Sequence, residues 1–283
     1  MTRNWRALLG KYGAWRSVGM VTPELARNLE QLGYGALWLG GSPGADLQIV
    51  DSLLAATSEL VVATGIVNMW QSDAHEVAAS FHRIEAAHPG RFLLGVGIGH
   101  REATQEYANP YEVSVAYLDT LIDDGVPQTS LVLAALGPKM LRLSADRTAG
   151  AHPYLVTEQY VSQARETLGA GPLLAVEHKA VIDPDAESAR SIGRPRVRRP
   201  YLGLVNYTTN LRRLGWTDDD LADGGSDALI DALVAHGEAA SVAEQLGRFI
   251  EAGADHVCVQ LLHATVEEDP MPGYRQLAAA LSL

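Results

Sequence analysis

The residues best suited to receive a ligand follow an uninterrupted apolar run, Leu131 to Leu136. Gly137-Pro138-Lys139-Met140 comes next. Glycine lets a ligand approach the backbone closely. Proline in a first helical position loses no hydrogen bond. The first amides of a helix have no internal partner, so this turn can receive an anion. Pro138 donates nothing, and Lys139 adds a positive charge. Taken alone, the same residues are the tight βα turn that any α/β protein needs.

Two histidines stand at the ends of apolar runs. His100 ends the segment Phe92 to Ile98 and is followed by charged residues. It reads either as a proton donor or acceptor, because imidazole titrates near neutral pH, or as a hydrogen-bonding loop residue. His152, between Ala151 and Pro153, is a ring-contacting site residue or a satisfied core histidine, and its place at a strand end favours the site.

Other patterns carry less. Gly95-Val96-Gly97-Ile98-Gly99 is not a dinucleotide fingerprint, since the third glycine position holds His100 and the glycines lie inside a strand; small residues there leave room for a flat ring. The arginines at 190, 194, 196, 198 and 199 fit a solvated helix end better than an anion site. His75 and His82 are seven residues apart with no adjacent carboxylate pair, which does not make a metal site. No nucleophile elbow is present.

The elements that must position these residues alternate. Strands are expected at Gly13–Trp15, Ala36–Leu39, Leu60–Val67, Phe92–Ile98, Leu131–Leu136, Gly150–Val156, Leu173–Ile182 and His256–Leu262. Helices begin at Thr22-Pro23, Leu47, Asp73 with Glu76 in a capping box, Asn109-Pro110 with Glu112, Pro138, Thr157, Asp183-Pro184, and Ser241 with Glu244. Residues 190–216 are less regular. Alternating strands and helices with short connections imply parallel strands and right-handed crossovers, and eight units at this length favour a (β/α)8 TIM barrel. The whole chain, 1–283, reads as one domain, with residues 190–240 as an insertion or lid before the last strand. In such a barrel the loops after Leu39, Val67, Ile98, Leu136, Val156 and Ile182 converge on one ligand.

Composition narrows the class. The chain has 283 residues, 47% hydrophobic and 20% charged, as a globular protein does. A formal charge of -12 argues against nucleic acid or an anionic membrane as main partner. The lone Cys258 sits in an apolar run and reads as core. With no apolar signal core at the start and no span able to cross a bilayer, a cytoplasmic location is expected.

Four segments carry a family likeness: Thr64-Gly65-Ile66-Val67-Asn68, Arg91 to Gly97, Ala134 to Met140, and Gly150 to Leu155. With Asn206 to Leu214 and Gly253 to Val257, they resemble luciferase-like monooxygenases, and within them the actinobacterial branch of coenzyme F420-dependent oxidoreductases. The resemblance implies a luciferase-like barrel, a homodimer, and a flavin or deazaflavin at the strand ends. Gly137, Pro138 and Lys139, with Leu136, would lie at the cofactor phosphate. Gly65-Ile66 would carry a non-proline cis peptide that backs the ring, with Asn68 at the ring's polar edge and Gly41, Ser42, Gly97, Gly99 and His152 completing the cofactor contacts. Trp70, Tyr154, Tyr201 and Tyr207 would wall the substrate pocket. Many family dehydrogenases have an acid and a histidine where this chain has Gly41 and Ser42, which argues against a sugar-phosphate or simple alcohol dehydrogenase and leaves His100 as the expected proton donor. The expected function is hydride transfer between coenzyme F420 and a small organic substrate. An FMN-dependent monooxygenase and a catalytically silent flavin-binding protein are the alternatives.

Overall fold

A computed structural model describes residues 3–99 and 109–283. In chain order the elements are α1 (Trp5–Leu9), β1 (Tyr12–Ser17), α2 (Pro23–Gln31), β2 (Ala36–Gly40), α3 (Gln48–Ala55), β3 (Val61–Thr64), β4 (Val67–Asn68), α4 (Ala74–Ala87), β5 (Phe92–Gly97) and α5 (Pro110–Asp123). They continue as β6 (Leu131–Leu133), α6 (Pro138–Arg147), β7 (Gly150–Ala151), α7 (Glu158–Leu168), β8 (Leu173–Ile182), α8 (Ala186–Arg198), α9 (Val205–Arg213), α10 (Asp218–Leu221), α11 (Asp227–Leu233), β9 (Val234–Gly237), α12 (Ala239–Glu251), β10 (His256–Leu261) and α13 (Met271–Leu281).

All pairings are parallel, and β10 hydrogen-bonds to both β1 and β8, so the sheet closes on itself as the expected (β/α)8 barrel. β3 and β4 together form one barrel strand, both pairing with β5. β9 lies outside the eight. It pairs with Lys179–Ile182 on the edge of β8 opposite β10, beyond the two residues that bond β7.

Side chains alternate across each strand. Leu37, Leu39, Val62, Leu94, Leu133 and Val176 point outward into one core with the helices. Ala36, Trp38, Val61, Ala63, Leu93, Val132, Ala175 and Cys258 fill the axis, and Trp5 and Leu9 of α1 close the N-terminal end beneath them. Cys258 is buried there, as its apolar context suggested.

Several boundaries differ from expectation for local reasons. The run Gly150–Val156 is a strand only over Gly150–Ala151, because Pro153 has no N–H to give and Leu155 turns with φ +54°. Leu60–Val67 is divided at Gly65-Ile66, whose peptide bond is cis, and Leu131–Leu136 leaves the ladder after Leu133. The stretch 190–216 is mostly helical. α8 runs through Pro195, and a cis Arg199-Pro200 bond precedes the turn into α9. Asp185, not Asp183, caps α8; Asp183 instead accepts from Asp185 N–H and Ser188 Oγ–H. α12 starts at Ala239, so Ser241 lies inside its first turn. Asp73 caps α4 as expected, accepting from the N–H groups of His75 and Glu76.

Three histidines are buried in this framework: His152, His178 and His256. Burial pushes their pKa values down to about 4, about 3 and about 4. Unfolding releases them to ordinary values near 6.5, so between pH 6.5 and 4 the unfolded chain binds more protons. Stability is then complete above pH 6.5 and falls on acidification by about 1.4 kcal/mol per pH unit for each ring. Urea unfolding between pH 7.5 and 4.5 should show a slope of about 4 kcal/mol per unit below pH 6. His178→Phe, which keeps the contact with Phe249, should remove about a third of that slope.

Candidate functional site

At the C-terminal ends of the strands lies a cavity of about 780 Å³. Its walls come from Gly41 and Ser42 after β2, Gly65, Ile66 and Asn68 around β4, and Gly99 after β5. Ala134 to Gly137 contribute after β6, His152 to Tyr154 after β7, and Tyr201, Asn206, Tyr207, Asn210 and Arg213 from the segment around α9. A second hollow of about 380 Å³ between α8 and α11 is lined by Glu187, Arg190, Ser191, Arg194 and Asp227, and Asp227 pairs with both arginines.

The cis Gly65-Ile66 bond carries Ile66 to the cavity wall, with Gly65 N–H donating to Leu39 O at 2.8 Å. Gly97 supports this from behind rather than lining the space: a methyl group there would approach Ile66 Cγ1 at 2.9 Å and Ala134 Cβ at 2.8 Å. Asn68 faces the cavity, but its Oδ1 accepts the N–H of Trp70 at 2.9 Å, and Trp70 itself is not in the wall.

Gly137 is the N-cap of α6, and Pro138 takes the first helical position. The first intrahelical bond runs from Leu141 N–H to Gly137 O. The N–H groups of Lys139 and Met140 precede it, and no side chain caps them. Gly137 and Met140 line the cavity; Pro138 and the Lys139 side chain do not. The Lys139 ammonium instead sits 3.8 Å from the centre of the Tyr111 ring. His100 lies outside the described residues, although Gly99, next to it in the chain, is in the wall.

One wall is aromatic. Trp15, Tyr154, Tyr201 and Tyr207 form a chain with ring centres 5.7, 5.2 and 5.1 Å apart. Burial raises the phenol pKa of Tyr154 and Tyr207 well above the usual value, so both remain neutral. Tyr154 donates to Gln260 Oε1 at 2.8 Å. Behind it the Lys179 ammonium lies 4.0 Å from the Tyr154 ring centre and 3.1 Å from Glu177 Oε1, while Glu177 Oε2 accepts Leu155 N–H at 3.1 Å. Both charged residues are fully buried. Burial pushes the Glu177 carboxyl up and the Lys179 ammonium down, and each opposes the other's shift.

His152 is 2% exposed and stacks on Trp38 with centres 4.1 Å apart. Its Nδ1 bonds Ala175 O at 2.9 Å, which makes Nδ1 the protonated nitrogen.

Trp15, Asn206, Asn210, Arg213 and the Glu177–Lys179 pair had no place in the sequence reading of the site. Asn206, Asn210 and Arg213 lie in a segment of the family likeness, and the charged pair had a signal of its own: two opposite charges two residues apart in an apolar strand must share a face.

Residues 21–124 match the family model of luciferase-like monooxygenases, the family resemblance already visible in the sequence. No curated protein sequence matches the chain. In fold it is similar to an F420-dependent secondary alcohol dehydrogenase in complex with an F420-acetone adduct (TM-score 0.72, 16% identity, 96% of this chain and 98% of that one). It is similar as well to the coenzyme F420-dependent tetrahydromethanopterin reductase of Methanopyrus kandleri (TM-score 0.70, 13% identity, 96% and 98% covered). A third is the FMN-bound oxygenating constituent of 3,6-diketocamphane monooxygenase from Pseudomonas putida (TM-score 0.64, 14% identity, 95% and 96% covered). The chain therefore has the luciferase-like barrel shared by F420-dependent enzymes and flavin monooxygenases.

The buried pair makes a sharp test of the aromatic wall. Lys179→Met leaves the Glu177 carboxylate without its counter-charge, and urea unfolding should show a loss of about 3–5 kcal/mol. Adding Glu177→Gln should restore most of it.

Proposed function

We propose that this chain, whose residues 21–124 match the family model of luciferase-like monooxygenases, is an oxidoreductase that transfers hydride between coenzyme F420 and a small organic substrate. The observation that carries the reading is a single cavity bordered both by Gly65 and Ile66 and by the uncapped turn opening α6. A flat ring bearing a phosphorylated tail fits an apolar backing and an anion-ready turn in one space.

In this reading Ile66 backs the ring, and the Gly137 turn receives the phosphate through the Lys139 and Met140 amides. Coenzyme F420, when bound, supplies the hydride carrier. Tyr154, Tyr201 and Tyr207 wall the substrate side and exclude water, with the helices of residues 190–240 as the lid. Gly41 and Ser42 offer no titratable side chain, so proton transfer falls to His100, the neighbour in sequence of Gly99. Two solved relatives in fold are F420-dependent by description, which supports the deazaflavin; the FMN-bound one supports a flavin monooxygenase as the second reading.

Titration with F420 and with FMN, followed by quenching of the tryptophans, separates the readings. Micromolar affinity for F420 with weak FMN binding is expected, and Gly137→Trp should weaken F420 at least roughly tenfold. The reverse preference would make the protein a flavin monooxygenase, and binding of neither would end the cofactor assignment. His100→Gln should leave F420 affinity unchanged while turnover falls roughly a hundredfold.

A further inference from the structure

Two nitrogens at the axial end of the cavity have no hydrogen-bond partner among the described residues. They are Trp15 Nε1 and His152 Nε2, on side chains only 8% and 2% exposed. Buried polar groups in folded proteins are nearly always paired, so two together in a cavity wall point to a ligand. The two are complementary. An indole nitrogen can only donate. His152 gives its one proton to Ala175 O through Nδ1, so Nε2 presents a lone pair. Both rings are held rigidly. The Trp15 ring covers Gly40, where a methyl group would lie 1.7 Å from Cζ2, and His152 is stacked on Trp38.

Both nitrogens face Gly65. A methyl group at that position would sit 2.7 Å from His152 Nε2 and 3.4 Å from Trp15 Nε1. A methyl group would not fit there, so the missing side chain lets a donor and an acceptor converge on one point. Gly65, Trp15 and His152 all border the main cavity.

We propose that Trp15 Nε1 and His152 Nε2 form a two-point receptor for a cyclic-amide edge, a ring carbonyl beside a ring N–H. The carbonyl accepts from Trp15, and the ring N–H donates to His152. The pyrimidine-dione ends of flavins and deazaflavins carry this edge, so the inference rests on the cofactor reading above and assigns which residues recognise the ring. Asn68 Oδ1 already accepts the backbone N–H of Trp70. Recognition of a ring N–H through a neutral imidazole also favours the neutral form of a pyrimidine-dione over its N-deprotonated anion.

The test uses the full-length protein with F420, FMN and the N3-methyl derivative of whichever binds. N3-methylation replaces the donated hydrogen and should weaken binding to the wild type at least roughly tenfold, about 1.4 kcal/mol. In His152→Gln the methyl penalty should shrink. Trp15→Phe should weaken the unmethylated ligand by a similar factor. Of the five indole N–H cross-peaks in a ¹H–¹⁵N spectrum, the one lost in Trp15→Phe should move downfield when ligand is added. Equal affinity for methylated and unmethylated ligand, or an unmoved Trp15 peak at saturation, overturns the receptor while leaving the cofactor reading standing. Failure of the wild type to bind either cofactor overturns both.

Discussion

The site depends on a column of rings along the barrel axis. His256 Nδ1 bonds Gly10 O at 2.9 Å, and its Nε2 accepts from Trp38 Nε1 at 3.0 Å. Trp38 in turn stacks under His152, which is tied to Ala175 O. Each member is fixed by the one below or by backbone, so none is free to rotate. The column fills the interior that eight parallel strands would otherwise leave as a pore. It also sets the depth of the cavity, because His152 is at once the top of the plug and part of the cavity wall.

The interior changes character with height. Near the N-terminal end it is apolar apart from His256, with Ala36, Val61, Leu93 and Val132 around Trp38. Near the C-terminal end it contains His152, Glu177, Lys179 and Gln260. Such groups are costly to bury, and each is compensated by a specific partner: Ala175 O, Leu155 N–H, the opposite charge, or the Tyr154 hydroxyl. Trp15 Nε1 and His152 Nε2 depart from that pattern, and both belong to residues that border the cavity.

Much of this was legible in the sequence, for reasons that differ by residue. Apolar runs separated by Pro, Gly and capping residues gave the eight barrel strands, because buried parallel strands carry continuous apolar stretches. The Gly137 turn was visible because proline and glycine act locally. Strand ends were less visible: Pro153 and the left-handed Leu155 stop β7 through backbone effects that an apolar run hides. β9 was missed because it follows α11 directly, without a turn to announce it. The role of Trp15 was hidden because it depends on Gly40 in the neighbouring strand and on a histidine far along the chain. Such relations exist only after the barrel has closed.

The electrostatics of the cavity follow from where charge is missing. The chain carries a formal charge of -12, yet among the described residues no aspartate or glutamate lines the cavity, and Arg213 is the one charged side chain in its wall. Lys139, which by sequence was the natural cation for the α6 turn, faces Tyr111 instead. Arg213 comes from α9, and its charge reaches Tyr160, whose hydroxyl donates to the carbonyls of Ala135 and Leu136 just before that turn. The acids flanking α8 and α9 are drawn outward into pairs with Arg190, Arg194 and Arg212. Among the described residues the cavity wall thus holds one positive and no negative side chain, on an acidic protein. That arrangement matches a ligand whose outer end is anionic and whose inner end is neutral, since the deeper wall holds only uncharged donors, acceptors and apolar rings.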